Sequence, residues 1–122
     1  MIRGVVNARR EAVLTLRVVG PVGEIDVSAV IDTGFTGTLT LPVAVVTKLG
    51  LVWSSRGSAI LANGTEGEFD LYAAEVEWGG LRRGVLVSAV GTEVLLGMKL
   101  LAGHGLWVEV VSGGVVEIRP LP

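Results

Sequence analysis

The stretch Glu24-Ile25-Asp26-Val27-Ser28-Ala29-Val30-Ile31-Asp32-Thr33-Gly34 decides how this chain is read. Ile25, Val27, Ala29 and Ile31 fall on one face, and Glu24, Asp26, Ser28 and Val30 on the other. That period of two predicts a strand. The strand delivers one carboxylate, Asp32, to a tight turn at Gly34. An ordinary capped turn accounts for the same three residues, because Asp and Thr both bond nearby backbone and Gly relieves strain.

The pattern continues outward on both sides. Val13 to Val19 alternates in the same way, and Gly20-Pro21-Val22-Gly23 is a turn signal, so a hairpin is expected. Downstream, Thr38 to Leu41 is a short β-prone run. Pro42 to Leu49 reads as a short helix, with Pro42 at the first helical position, Val45, Val46 and Leu49 as its apolar stripe, and Gly50 as its stop. Ser58 to Ala62 and Thr65 to Tyr72 flank Asn63-Gly64, a dipeptide suited to a two-residue hairpin turn. Ala73 to Trp78 and Gly84 to Val90 form another hairpin about Gly79-Gly80. Met98 to Ala102 is a second short helix closed by Gly103. Leu106 to Val111 and Val115 to Arg119 pair across Ser112-Gly113-Gly114. Many short strands and few helices predict a mainly β, closed or nearly closed barrel over 1–122, read as a single domain.

Composition narrows the function. Half of the 122 residues are hydrophobic, enough for a core, so disorder is not expected. Ten basic against twelve acidic side chains leave a net charge of -2, so no nucleic-acid partner is expected. The chain has no cysteine, which excludes disulfides and thiol chemistry, and one histidine, which cannot build a multi-histidine metal site. The longest uncharged run, Thr33 to Thr47, is broken by Gly34, Gly37 and Pro42 and is too short to cross a membrane. No apolar leader follows the basic residues near the N-terminus, so a cytoplasmic location is expected.

Three motifs stand in order: Asp32-Thr33-Gly34, the hairpin at Asn63-Gly64, and Leu95-Leu96-Gly97 leading into a short helix. With Phe35-Thr36-Gly37, Leu41-Pro42, Leu49-Gly50-Leu51, Leu61-Ala62, Trp78-Gly79-Gly80 and Met98 between and after them, the chain resembles the retropepsin-like aspartic proteases. The match is closest to their small bacterial and archaeal members. The resemblance implies a retropepsin-like closed β-barrel, one lobe per chain, acting as a homodimeric aspartic endopeptidase on polypeptide in extended conformation.

The roles it implies carry over residue by residue. Asp32 is the catalytic carboxylate. A single Asp-Thr-Gly is present, so the second carboxylate comes from another copy of the chain. Thr33 resembles the residue whose hydroxyl braces the two active-site loops, and Gly34 lets backbone approach substrate. Ala62, Asn63 and Gly64 correspond to the flap. Leu95, Leu96 and Gly97 support the loop from behind. Water is the nucleophile, so no metal or organic cofactor is implied. The Leu106–Arg119 hairpin is a candidate dimer element, because edge strands near a two-fold axis can pair across it. The sequence departs from retroviral members at Phe35-Thr36, where they place a small and then an acidic residue. It departs again at Met98-Lys99, where they carry Arg, so contacts made by those residues do not carry over.

A second reading is a non-catalytic dimerisation or peptide-binding module on the same scaffold. The intact Asp32-Thr33-Gly34 speaks against it. His104 reads as a turn residue, Trp53, Trp78 and Trp107 as core or interface anchors, and Arg82-Arg83 as a solvated turn.

Overall fold

Alternating side chains, glycine-bearing turns and two short helices organise the computed structural model, which describes residues 1–60 and 63–122. In chain order the elements are β1 (Ile2–Val6), β2 (Ala12–Gly20), β3 (Gly23–Ile31), β4 (Leu39–Leu41) and α1 (Val43–Leu49). They continue with β5 (Val52–Ile60), β6 (Glu66–Trp78), β7 (Leu81–Ala89), β8 (Val94–Leu96), α2 (Met98–Leu101), β9 (His104–Val108) and β10 (Val115–Pro120).

Six strands close a barrel in the order β2-β3-β8-β4-β7-β6, and β6 returns to β2 through Val18↔Val76 and Val19↔Glu75. β2 divides its outer edge: Val5↔Val13 and Val6↔Ala12 join it to β1, while its far end carries β6. The sheet then runs on from β1 to β10 and β9. The first half of β6 leaves the barrel wall and pairs with β5 from Glu66 to Ala73 as a two-stranded ribbon.

Period-two alternation fills the barrel. Leu14, Leu16 and Val18 of β2 are buried between exposed neighbours, and they meet Leu39, Leu41, Val76, Val87 and Leu96 from the other walls. Removing one such side chain, as in Leu16→Ala, costs about 2–5 kcal/mol through lost transfer energy and a residual cavity. Trp78 closes one end. Its indole N–H donates to His104 Nε2 at 3.4 Å, which leaves the His104 Nδ1–H to donate to the Ala102 carbonyl at 3.0 Å. His104 is thus a structural partner of the core tryptophan.

The helices follow local chemistry with one shift. Pro42 is the cap rather than the first helical residue: its ψ of 146° is extended, and its carbonyl accepts from the Val45 and Val46 amides. Val46 and Leu49 are buried, and Gly50 ends α1 in the left-handed region at φ +63°. The Ala73–Trp78 run is not a separate strand. It continues Glu66–Tyr72 as one 13-residue β6, whose hairpin with β7 turns at Gly79 and Gly80, both at positive φ. No helix among the described residues is long and apolar enough to cross a membrane.

Candidate active site

Asp32 leaves β3 in a loop, 32–38, that leads to β4. β8 lies between β3 and β4, parallel to the first and antiparallel to the second. The loop therefore has to arch over the end of β8 and the start of α2. Backbone bonds fix it there. The Asp32 amide donates to the Leu96 carbonyl at 2.9 Å, Gly97 to Thr38 at 2.9 Å, Met98 to Phe35 at 2.8 Å and Lys99 to Gly37 at 3.1 Å. Gly97 permits this approach. A Cβ there would stand 2.2 Å from the Gly37 carbonyl oxygen and 2.6 Å from the Phe35 ring.

Within the loop, the Gly34 amide donates to Asp32 Oδ1 at 2.9 Å and the Phe35 amide to the Asp32 carbonyl at 3.1 Å. The carboxylate is half-buried, and Thr33 and Gly34 are exposed at the tip. The second carboxylate oxygen carries no hydrogen bond among the described residues. Behind the loop, buried Thr40 ties β4 to β8: its hydroxyl donates to the Glu93 carbonyl at 3.1 Å and accepts from the Leu95 amide at 2.9 Å. The Thr38 hydroxyl donates to the Leu86 carbonyl.

A groove of about 700 Å³ opens beside this loop. Gly34 to Thr38 form one wall, Gly57, Ser58, Phe69 and Leu71 of the β5–β6 ribbon another, and Leu86, Ser88 and Val90 the floor, with Lys99 at the rim. Asp32 itself does not line it; Gly34 links the carboxylate turn to it. Leading into β6, Asn63 Oδ1 accepts from the Thr65 amide at 3.0 Å and from its hydroxyl at 2.6 Å, with Gly64 at φ +83°. Asn63 and Gly64 are exposed and do not line the groove; Ala62 lies outside the described residues. The groove-lining Phe69, Leu86 and Ser88 escape a reading of motifs. Phe69 and Leu86 look like ordinary strand residues, and no local pattern says that β6 and β7 will face the Asp32 loop.

The remaining polar residues are engaged elsewhere. Arg83 donates to the Leu100 carbonyl at the end of α2, and Arg82 pairs with Glu24 at 3.5 Å. Trp53 is exposed and donates to Asp70 at 3.0 Å. Among the described residues no three His, Asp or Glu side chains gather as a metal site requires.

No family model and no curated protein matches the chain. Among solved structures it is similar to the EIAV protease complexed with the inhibitor HBY-793, at 16% identity and a TM-score of 0.48, over 78% of this chain and 88% of that one.

Proposed function

We propose that this chain is an aspartic endopeptidase of retropepsin type that works as a homodimer. The observation that carries the reading is the position of Asp32. A half-buried carboxylate sits in a glycine turn, braced from behind by β8 and α2, and Gly34 of that turn lines a groove bounded by a projecting ribbon. The groove has apolar walls at Phe35, Phe69, Leu71 and Leu86, and polar groups at Ser58, Ser88 and Thr36. It suits a side chain of an extended peptide whose backbone runs along the ribbon as an added strand.

The chemistry needs two carboxylates, and each chain supplies one. Two Asp32 side chains meeting on a two-fold axis cannot both ionise readily, so they share one proton. The ionised member takes a proton from water, and the protonated member donates to the scissile carbonyl. The Gly34 amide holds Asp32 Oδ1 and leaves the other oxygen for the water.

One observation favours the second reading, a peptide-binding module without chemistry: the Gly34-to-Asp32 bond is also that of an ordinary Asx turn. The two are separated by cleavage of an unfolded protein mixture, read by mass spectrometry from acidic to neutral pH. Wild type is expected to make cuts that Asp32→Asn does not. Cuts of equal number in both would remove Asp32 from the chemistry, and binding of peptide without cuts would favour the module.

A further inference from the structure

We propose that the groove beside the Asp32 loop selects a glutamate side chain of an extended peptide, with Lys99 reading its charge and Ser88 donating a hydrogen bond from the floor. The inference rests on the reading of this groove as a peptide subsite and names the side chain that it takes.

The charge of the groove comes first. Among the described residues that line it, Lys99 is the one charged group. Its backbone is fixed, because the Lys99 amide donates to the Gly37 carbonyl at 3.1 Å. Its side chain is exposed and forms no ion pair among the described residues. The carboxylates of the adjoining elements are turned elsewhere. Phe69 and Leu71 of β6 line the groove, so Glu68 and Asp70 fall on the opposite face of the ribbon by strand alternation. There Arg56 pairs with Glu68 at 3.5 Å and with Asp70 at 3.9 Å. Asp32 and Glu93 do not line the groove, and Asp32 Oδ1 is held by the Gly34 amide. An anion that enters meets positive charge and no like charge in the lining.

The floor supplies a second, independent observation. Leu86 and Ser88 share the groove face of β7, alternating with core Val85 and Val87. Ser88 is only 7% exposed. Its neighbour in register, Thr40, spends its hydroxyl on the Glu93 carbonyl and the Leu95 amide. The Ser88 hydroxyl has no such partner among the described residues. A nearly buried hydroxyl that opens only into a groove calls for an acceptor from outside the chain.

Between floor and rim the walls are apolar. The Phe69 ring lies against Gly57, where a Cβ would stand 2.6 Å from it, and the Phe35 ring lies against Gly37 at the same 2.6 Å. With Leu71 and Leu86 they form a surface for methylene groups. Glutamate matches all three features. Its stem is apolar, its carboxylate accepts from a hydroxyl, and its charge suits the ammonium that Lys99 carries on a flexible stem. Glutamine keeps the shape and the acceptor but not the charge. Lysine would meet Lys99 as a like charge.

These differences make the test. A pool of randomised peptides is passed over immobilised Asp32→Asn protein, and the retained peptides are read by mass spectrometry, a selection that does not depend on cleavage. Above about pH 5, where glutamate is ionised, glutamate is expected to exceed glutamine about two- to fivefold at one position, the range of an exposed ion pair. Lys99→Met in the same background should bring that ratio to unity, and Lys99→Glu should enrich lysine and arginine there instead. Ser88→Ala should lower glutamate and glutamine together against leucine. It should keep its melting temperature, because no group of the chain loses a bond. Cleavage sites of the wild type should carry the same signature.

Absence of glutamate enrichment, a ratio that Lys99→Met leaves unchanged, or failure to retain any peptide would overturn the proposal. Glutamate-selective retention, with a wild type that cuts nothing, would leave the subsite standing and remove the protease reading. Cleavage by wild type with no preference for glutamate would do the reverse.

Discussion

Gly97→Ala tests whether the Asp32 loop is pressed against the end of β8. The backbone at Gly97 is extended, with φ −101° and ψ 176°, which alanine adopts freely. Any cost is therefore one of space. The new methyl would lie 2.2 Å from the Gly37 carbonyl oxygen, 2.6 Å from the Phe35 ring and 2.8 Å from the Phe35 carbonyl oxygen. Two of these are main-chain atoms and cannot turn aside like a flexible side chain. Overpacking of this kind costs about 1–3 kcal/mol. Moving the loop outward also strains the Gly97–Thr38, Met98–Phe35 and Lys99–Gly37 bonds, and losing one adds about 1 kcal/mol. The sum is about 2–4 kcal/mol, a large part of the 5–15 kcal/mol of a typical domain, and lowers Tm by about 8–16 °C. Urea unfolding followed by tryptophan fluorescence measures it, since Trp78 is buried and becomes exposed. The midpoint should fall with the slope unchanged. Gly23→Ala is the control, because a Cβ there meets nothing within 4 Å. A Gly97→Ala variant as stable as that control would refute the packing of the loop on β8.

Other perturbations have equally specific outcomes. Thr40→Val keeps shape but leaves the Glu93 carbonyl and the Leu95 amide unpaired, a loss of about 1–3 kcal/mol in chemical denaturation that Thr40→Ser should largely restore. Phe69→Ala removes one wall of the groove, so the cleavage sites found by mass spectrometry should shift toward larger side chains at one subsite; an unchanged pattern would place substrate elsewhere. The Arg17 hydrogen bond to Asp26 holds that carboxyl below its ordinary range. With the folded value depressed, the stabilisation is present above the unfolded pKa, about 3.9, and is lost as pH falls through the folded one. Asp26→Asn should therefore lower Tm slightly at neutral pH and low salt, with the gap to wild type closing in strong acid; a gap that widens there would contradict the pairing.

Local signals made much of this fold legible. The β2–β3 hairpin is written in its alternation and in Gly20-Pro21-Val22-Gly23, and its register closes at Gly20↔Gly23. Gly79-Gly80 marks the β6–β7 turn, and Gly50 and Gly103 end the helices at positive φ as expected. The closure of the barrel has no such signal, because Val18↔Val76 and Ile31↔Leu96 join residues far apart in the chain. The sequence predicts two runs where β6 is one strand, because Tyr72-Ala73-Ala74 blurs the alternation where the strand passes from ribbon to barrel wall. β1 is short and gains its place from β10 and β2, not from its own pattern. At the site, the Asp32 turn is local and readable, whereas the support at Gly97 follows from the resemblance and not from a local pattern. The groove walls at Phe69, Leu86 and Ser88 depend on which strands face each other, and that is decided by closure.

The central claim is that one catalytic unit uses two Asp32 carboxylates, one from each chain. Mixing wild type with Asp32→Asn at constant total protein, well above the dimer dissociation constant and with time for exchange, tests it most directly. If each dimer needs both carboxylates, the cleavage rate follows the square of the wild-type fraction, and an equal mixture retains about a quarter of the activity. A rate that falls in proportion to the wild-type fraction would show that each chain acts alone, and the account of Asp32 as half of a shared site would be wrong.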